Sequence, residues 1–144
     1  MTGQRKAGRP YILDDQIGFV LRQVNQRHVA IFESLLGGDL TPTQWAALSK
    51  LAEVGSCSQN QLGRLTAMDV ATIKGVIDRL TLRGLTKTSA DPDDGRRLLV
   101  TLTPAGRQKV AKAVPKAFRA TEDTLAPLDP AERQTLKALL EKLR

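Results

Sequence analysis

Two adjacent guanidiniums, Arg96 and Arg97, close a turn-forming run that also holds three carboxylates, Asp91, Asp93 and Asp94. Pro92 presets φ and Gly95 accepts positive φ, while Thr86 to Ser89 and Leu98 to Leu102 are rich in β-preferring or apolar residues. The pattern predicts a two-stranded ribbon with both arginines beside its tip. Because that tip is slightly negative as a whole, it cannot attract an anion in bulk; any anionic partner must be met by individually aimed guanidiniums. This is recognition chemistry. Catalysis has no comparable support, since the chain has one histidine, His28, one cysteine, Cys57, and no Gly-rich phosphate loop. No enzyme, cofactor or metal site is expected, because a lone His and Cys cannot complete a ligand set.

The elements that would position the arginines can be read from spacing. Ile17, Leu21, Val24, His28, Ile31 and Leu35 recur at helical steps and predict a long amphipathic helix from Asp14 to about Leu36, ended by Gly37 and Gly38. Thr41 followed by Pro42 predicts a capped helix through about Val54, with Trp45, Leu48 and Leu51 on one face. Ser58 is expected to cap a short helix with Leu62 and Leu65 inward, and Asp69 a second helix to Arg83 with Ile73, Val76, Ile77 and Leu80 buried. Together they read as a helix-turn-helix, with Leu85 starting the first ribbon strand after a Gly84 cap. Thr103 and Pro104 open another long helix carrying Val110, Val114, Phe118 and Leu125, which Pro115 is expected to interrupt and kink. Asp129 to Glu132 resembles a capping box ahead of a last helix bearing Leu136, Leu139, Leu140 and Leu143.

The fold class expected is mainly α with a small β wing: a winged helix-turn-helix over about residues 41–103, flanked by dimerisation helices over about 14–37 and 104–144. A chain of 144 residues without repeats fits one domain, here 11–144, preceded by a basic arm over residues 1–10. The arm is either a solvated tail or an auxiliary phosphate contact. A net charge of +7 favours a polyanionic partner, and the lack of any apolar run of membrane-spanning length predicts a cytoplasmic protein. The terminal helices carry more apolar stripe than the reading domain can cover, so homodimerisation is expected; an ordinary monomer core is the alternative.

This order of elements resembles the MarR family of bacterial transcription regulators over residues 14 to 143. The likeness is carried by Asp78, Arg79, Leu80, Arg83, Gly84 and Leu85 at the exit of the second reading helix. It continues in Asp91, Pro92, Asp93, Asp94, Arg96, Leu98, Val100, Leu102 and Thr103 of the wing and in Leu40 to Trp45. The resemblance implies binding to double-stranded DNA, with Arg96 at the minor groove, Asp94 orienting it and Arg97 on a nearby phosphate. An A·T-rich minor groove concentrates negative potential and attracts arginine. The segment Asp69 to Gly75 would enter the major groove, with Ala71 on it and Thr72 and Lys74 as preferred contacts, while Ser58, Gln59 and Thr66 anchor the backbone. Lys74 and Gly75 depart from the hydroxyl residue and arginine that relatives often carry there, so the family's base contacts are not transferred.

The resemblance further implies a repressor of a pseudo-palindromic operator, released by a small aromatic or phenolic acid. Arg22, His28 and Trp45 are candidate contacts for a planar carboxylate. His28 is equally readable as a structural histidine bonded locally, and Trp45 as core. Two other readings compete: redox control through Cys57, which is otherwise a buried bystander, and a winged-helix module that binds protein rather than duplex.

Overall fold

A computed structural model describes residues 8–144; most of the basic arm lies outside the described residues. A single 3-10 turn, Leu13–Asp15, leads into α1 (Ile17–Leu36), followed by α2 (Pro42–Val54), β1 (Ser56–Cys57), α3 (Gln59–Leu65) and α4 (Val70–Leu82). Then come β2 (Thr86–Ala90), β3 (Leu98–Leu102), α5 (Pro104–Leu125) and α6 (Pro130–Glu141).

The predicted caps form because short polar side chains satisfy amides that the first helical turn leaves unpaired. Thr41 and Gln44 make a reciprocal capping box on α2, and Asp129 and Glu132 make another on α6. Ser58, Asp69 and Thr103 each accept the amide three residues on, starting α3, α4 and α5. At the end of α4, Leu85 N–H donates to the Leu80 carbonyl and Gly84 N–H to that of Thr81, with Gly84 at φ +72°. This paired closure stops the helix at Arg83 and turns the chain into the wing.

The sheet has the order β1-β3-β2, all antiparallel, with Cys57 opposite Val100 and Thr86 opposite Leu102. The core gathers Leu40, Leu48 and Leu51 from around α2, Leu62 from α3, Ile73 and Leu80 from α4 and Val100 from β3. Phe32 and Leu36 join from α1, while α1 lies along α5. No helix is long and apolar enough, among the described residues, to cross a membrane.

Several expectations are corrected. α1 begins at Ile17 rather than Asp14; its buried residues are Phe32 and Leu36, and the stripe through Ile17, Leu21 and Val24 is uncovered in the single subunit, in line with the excess of apolar surface expected of the terminal helices. Leu65 is 43% exposed; buried Gly63 takes its place, lying where an added Cβ would press on Ile73. The first ribbon strand starts at Thr86, and α5 runs unbroken through Pro115, whose missing amide leaves one carbonyl without its helical donor. Strand β1 was not foreseen, because two residues give no periodicity.

Gly106 sits where α5 crosses the end of the reading unit, and an added Cβ would collide with the Leu85 carbonyl oxygen. Backbone cannot yield as a flexible side chain can. Gly106→Ala is therefore expected to destabilise the fold by about 1 to 3 kcal/mol or more, seen as a lower urea midpoint. An unchanged midpoint would show that the α5 crossing is not tight.

Candidate nucleic-acid interface

α3 and α4 cross closely because Gly63 presents no side chain to Ile73, and Ile73, Val76, Ile77 and Leu80 anchor α4 to the core. That leaves Val70, Ala71, Thr72, Lys74 and Asp78 exposed and Gly75 half-buried, so apart from Val70 the outer face near the start of α4 carries small or polar side chains. Asp69 accepts the Thr72 amide at 2.7 Å. That backbone bond holds its carboxyl below the ordinary range. Asp69 thus shapes the start of the helix. The Lys74 ammonium pairs with Asp78 at 2.9 Å, both largely exposed. Such a pair is worth only about 0.3 to 0.5 kcal/mol, so releasing Lys74 to an anion costs little.

Thr66 Oγ1 donates to the Leu62 carbonyl at 2.6 Å and is half-buried. Ser58 caps α3, and Gln59 is its half-buried first residue. In the wing, Asp91 N–H donates to the Arg97 carbonyl at 2.8 Å and Arg97 N–H to that of Asp94 at 2.9 Å, closing the tip. Asp94 Oδ1 accepts the Arg96 backbone amide at 3.1 Å. Among the described residues no ion pair joins Asp94 to the Arg96 guanidinium, so this carboxylate orients the tip through the backbone. Arg97 Nη2 donates to Ser58 Oγ at 3.4 Å, and β1 pairs with β3, so the wing is fixed to the residue that starts α3. Arg97 and Ser58 are brought together; Arg96 remains exposed at the tip.

The three candidate ligand contacts are not assembled within one subunit. Trp45 lines a cavity of about 270 Å³ with Val114, Ala117, Phe118 and Thr121, while neither Arg22 nor His28 reaches it. Arg22 is exposed. His28 is half-buried, with Nδ1 2.8 Å from Thr124 Oγ1. Since that hydroxyl donates to the Ala120 carbonyl at 2.7 Å, the Nδ1 carries the hydrogen and donates to it. Beside it Arg27 donates to the Thr124 and Asp123 carbonyls at 2.6 and 3.0 Å, tying α1 to α5. Cys57 is buried on β1; burial pushes its thiol up, and the Arg97 charge opposes this only partly. A thiol held in that form is a poor oxidant sensor.

One further cluster escaped the sequence reading. Asp39, between α1 and α2, accepts Arg83 Nη2 at 2.7 Å and Lys109 Nζ at 2.6 Å. The Lys109 hydrogen bond foremost, and then Arg83, hold the Asp39 carboxyl below its ordinary range against the opposing effect of burial. Asp69 and Asp129 are lowered by cap amides. A depressed carboxyl adds stability above the ordinary carboxylate pKa and loses it as pH falls through the folded value. Melting temperature is therefore expected to hold from neutrality to about pH 5 and to drop below about pH 4. Asp39→Asn should remove part of that drop; an identical acid profile would deny Asp39 a share.

The MarR family model matches residues 40–98, spanning the start of α2 to the first residue of β3. The HTH-type transcriptional repressor NicR of Pseudomonas putida is 37% identical over 93% of this chain and 85% of its own length. A probable transcriptional regulator from Pseudomonas aeruginosa, solved as a crystal structure, is 59% identical over 92% of this chain and all of that one, with a TM-score of 0.87. The solved structure of Bordetella bronchiseptica BpsR, whose DNA binding is regulated by 6-hydroxynicotinic acid, is 44% identical over 94% of this chain and 97% of that one. Its TM-score is 0.89. With a helix-turn-helix, a pinned wing and relatives that match nearly end to end, the chain belongs to the MarR family of transcriptional regulators and is not an enzyme.

Proposed function

We propose that the chain is a homodimeric repressor that binds a pseudo-palindromic operator in double-stranded DNA and is released by a small aromatic acid. The observation that carries this reading is the coexistence of two surfaces on one chain. One is the exposed start of α4 with the wing-tip Arg96; the other is the uncovered apolar side of α1 and α6, of which α6 buries no residue. A second copy seated on the apolar side would hold two readers together, as paired half-sites require. The domain division follows: residues 41–103 read, and the flanking helices join the copies.

Release by an aromatic acid is supported by the cavity beside Trp45, whose walls are apolar and whose Phe118 is 70% exposed in the single subunit. It is supported too by similarity to BpsR, whose DNA binding responds to 6-hydroxynicotinic acid. Arg22 and His28 could complete such a site only from a partner copy. Nothing in the geometry favours redox control, since Cys57 is buried with a raised thiol pKa.

Gel shifts of the full chain on the DNA upstream of its own gene test the reading, with and without benzoic, hydroxybenzoic and 6-hydroxynicotinic acids. A shifted band that an aromatic acid dissolves is expected. Failure to bind any duplex would leave a protein-interaction module; binding indifferent to every acid would remove the effector. Arg96→Ala should weaken the shift about tenfold or more, within the ~1 to 3 kcal/mol range for a base-groove contact. Unchanged affinity would take the wing out of the mechanism.

A further inference from the structure

The ion pairs among the described residues divide by what they join. Lys50 with Glu53, Lys74 with Asp78, Arg119 with Asp123 and Glu141 with Arg144 are each neighbours along the chain, and Glu122 with Arg133 joins α5 to α6. Only the two made by Asp39, acting in series, link the reading unit to a long helix: Arg83 to the α1–α2 turn and that turn to Lys109 on α5. Arg83 is the C-cap of α4, locked by the Gly84 and Leu85 closure, so its guanidinium moves with the recognition helix. Its Nη1 also donates to the Asp39 carbonyl at 2.8 Å and to Gln44 Oε1 at 3.3 Å, at the start of α2. Lys109 stands on α5, against which α1 lies. One carboxylate therefore ties the exit of α4, the α1–α2 turn and α5.

The side chains of Arg83 and Lys109 are about one-third exposed and that of Asp39 about half exposed, so the cluster lies at the surface and its hold comes from geometry rather than burial. A guanidinium that grips both the carboxylate and the carbonyl of one residue fixes direction as well as distance.

We propose that Asp39 is a positioning residue for DNA reading: through Arg83 and Lys109 it sets the angle at which α4 stands to the long helices, and so the separation of the two readers. The inference rests on the dimeric operator-binding reading above. Asp39 touches no DNA; it acts through the placement of α4. Losing its charge loosens the exit of α4 against α5 within their shared core, which leaves each reader intact and unsettles the distance between them.

The test uses the full chain and a two-half-site duplex that the wild-type protein selects from random sequence, together with versions lengthened or shortened by one and two base pairs between half-sites. For wild type, affinity should peak sharply at the selected spacing. Asp39→Asn should lower peak affinity about fivefold or more, at the weaker end of couplings between distinct sites, and flatten the spacing profile. Affinity for a single half-site should stay unchanged, and Asp39→Glu should restore much of the peak. Lys109→Gln should reproduce the flattening, which keeps the test sharp if Asp39→Asn folds poorly.

A wild-type spacing profile in both Asp39→Asn and Lys109→Gln would overturn the proposal. So would equal losses on half-site and full duplex, which mark general damage. If the wild-type chain selects no two-half-site duplex, it is the operator-binding reading itself that fails, and the two failures remain distinct.

Discussion

Raising salt from about 50 to about 200 mM is expected to lower operator affinity by about 10³- to 10⁵-fold, if the dimer neutralises ~6 to 10 phosphates. Each cation that meets a phosphate releases condensed counterions, and that release is worth less as free salt rises. Lys74, Arg96 and Arg97 are exposed candidate cations of the reading surface, and helix N-termini supply uncharged amide donors. Arg97 is partly committed to Ser58 and Lys74 to Asp78, so Arg96 is the side chain freest to insert. Arg96→Ala should reduce the slope of log affinity against log salt by ~1 per subunit, hence ~2 per dimer. A titration that ignored salt would contradict phosphate binding altogether, whatever the base sequence preferred.

The second large effect concerns assembly. Leu139→Glu should convert the protein to a monomer at micromolar concentration and cost ~10²- to 10⁴-fold on a two-half-site duplex, because the second reader loses its effective concentration. The argument is geometric. Leu139 is 54% exposed on a helix that also displays Leu136, Leu140 and Leu143, beside a groove lined by Leu125 and the aliphatic stems of Arg133 and Lys137. On α1, Ile17, Val20, Leu21 and Val24 are exposed as well. Apolar faces of this extent are rarely left to water. In a two-fold interface each substitution occurs twice, so two carboxylates enter the contact without partners. Sedimentation of wild type and variant gives the readout; a monomeric wild type, or a variant that stays dimeric, would contradict this placement.

Sequence reading succeeded where structure is local. Caps at Thr41, Ser58, Asp69, Thr103 and Asp129 each depend on residues three apart, and the left-handed stop at Gly84 depends on one residue's freedom. The buried face of α4 followed from period alone because one side of that helix meets one core. α1 is different: its apolar residues lie on two sides, the stripe through Ile17, Leu21 and Val24 exposed in the subunit while Phe32 and Leu36 enter its core. Leu65 fails for a related reason, since Gly63 lets α3 roll close to Ile73 and turns Leu65 outward.

The parts of the site that escaped are those made across the chain. Asp39 meets Arg83 and Lys109 over distances in sequence that no periodicity encodes, and Arg27 finds backbone carbonyls at the end of α5. Asp94 was expected to face a guanidinium and instead receives an amide two residues on, the local bond that short acidic side chains commonly form in turns. Residue types announced an aimed arginine; only coordinates say which backbone aims it.

Hydroxyl-radical footprinting of the wild-type chain on its selected duplex addresses the central claim most directly. Two readers held by one dimer should protect two tracts on the same face of the duplex, centred about one helical turn, ~10 base pairs, apart, with extra minor-groove protection beside each tract where Arg96 reaches. A single protected tract, or two whose separation varies from molecule to molecule, would contradict a dimer that fixes its readers to the pitch of DNA.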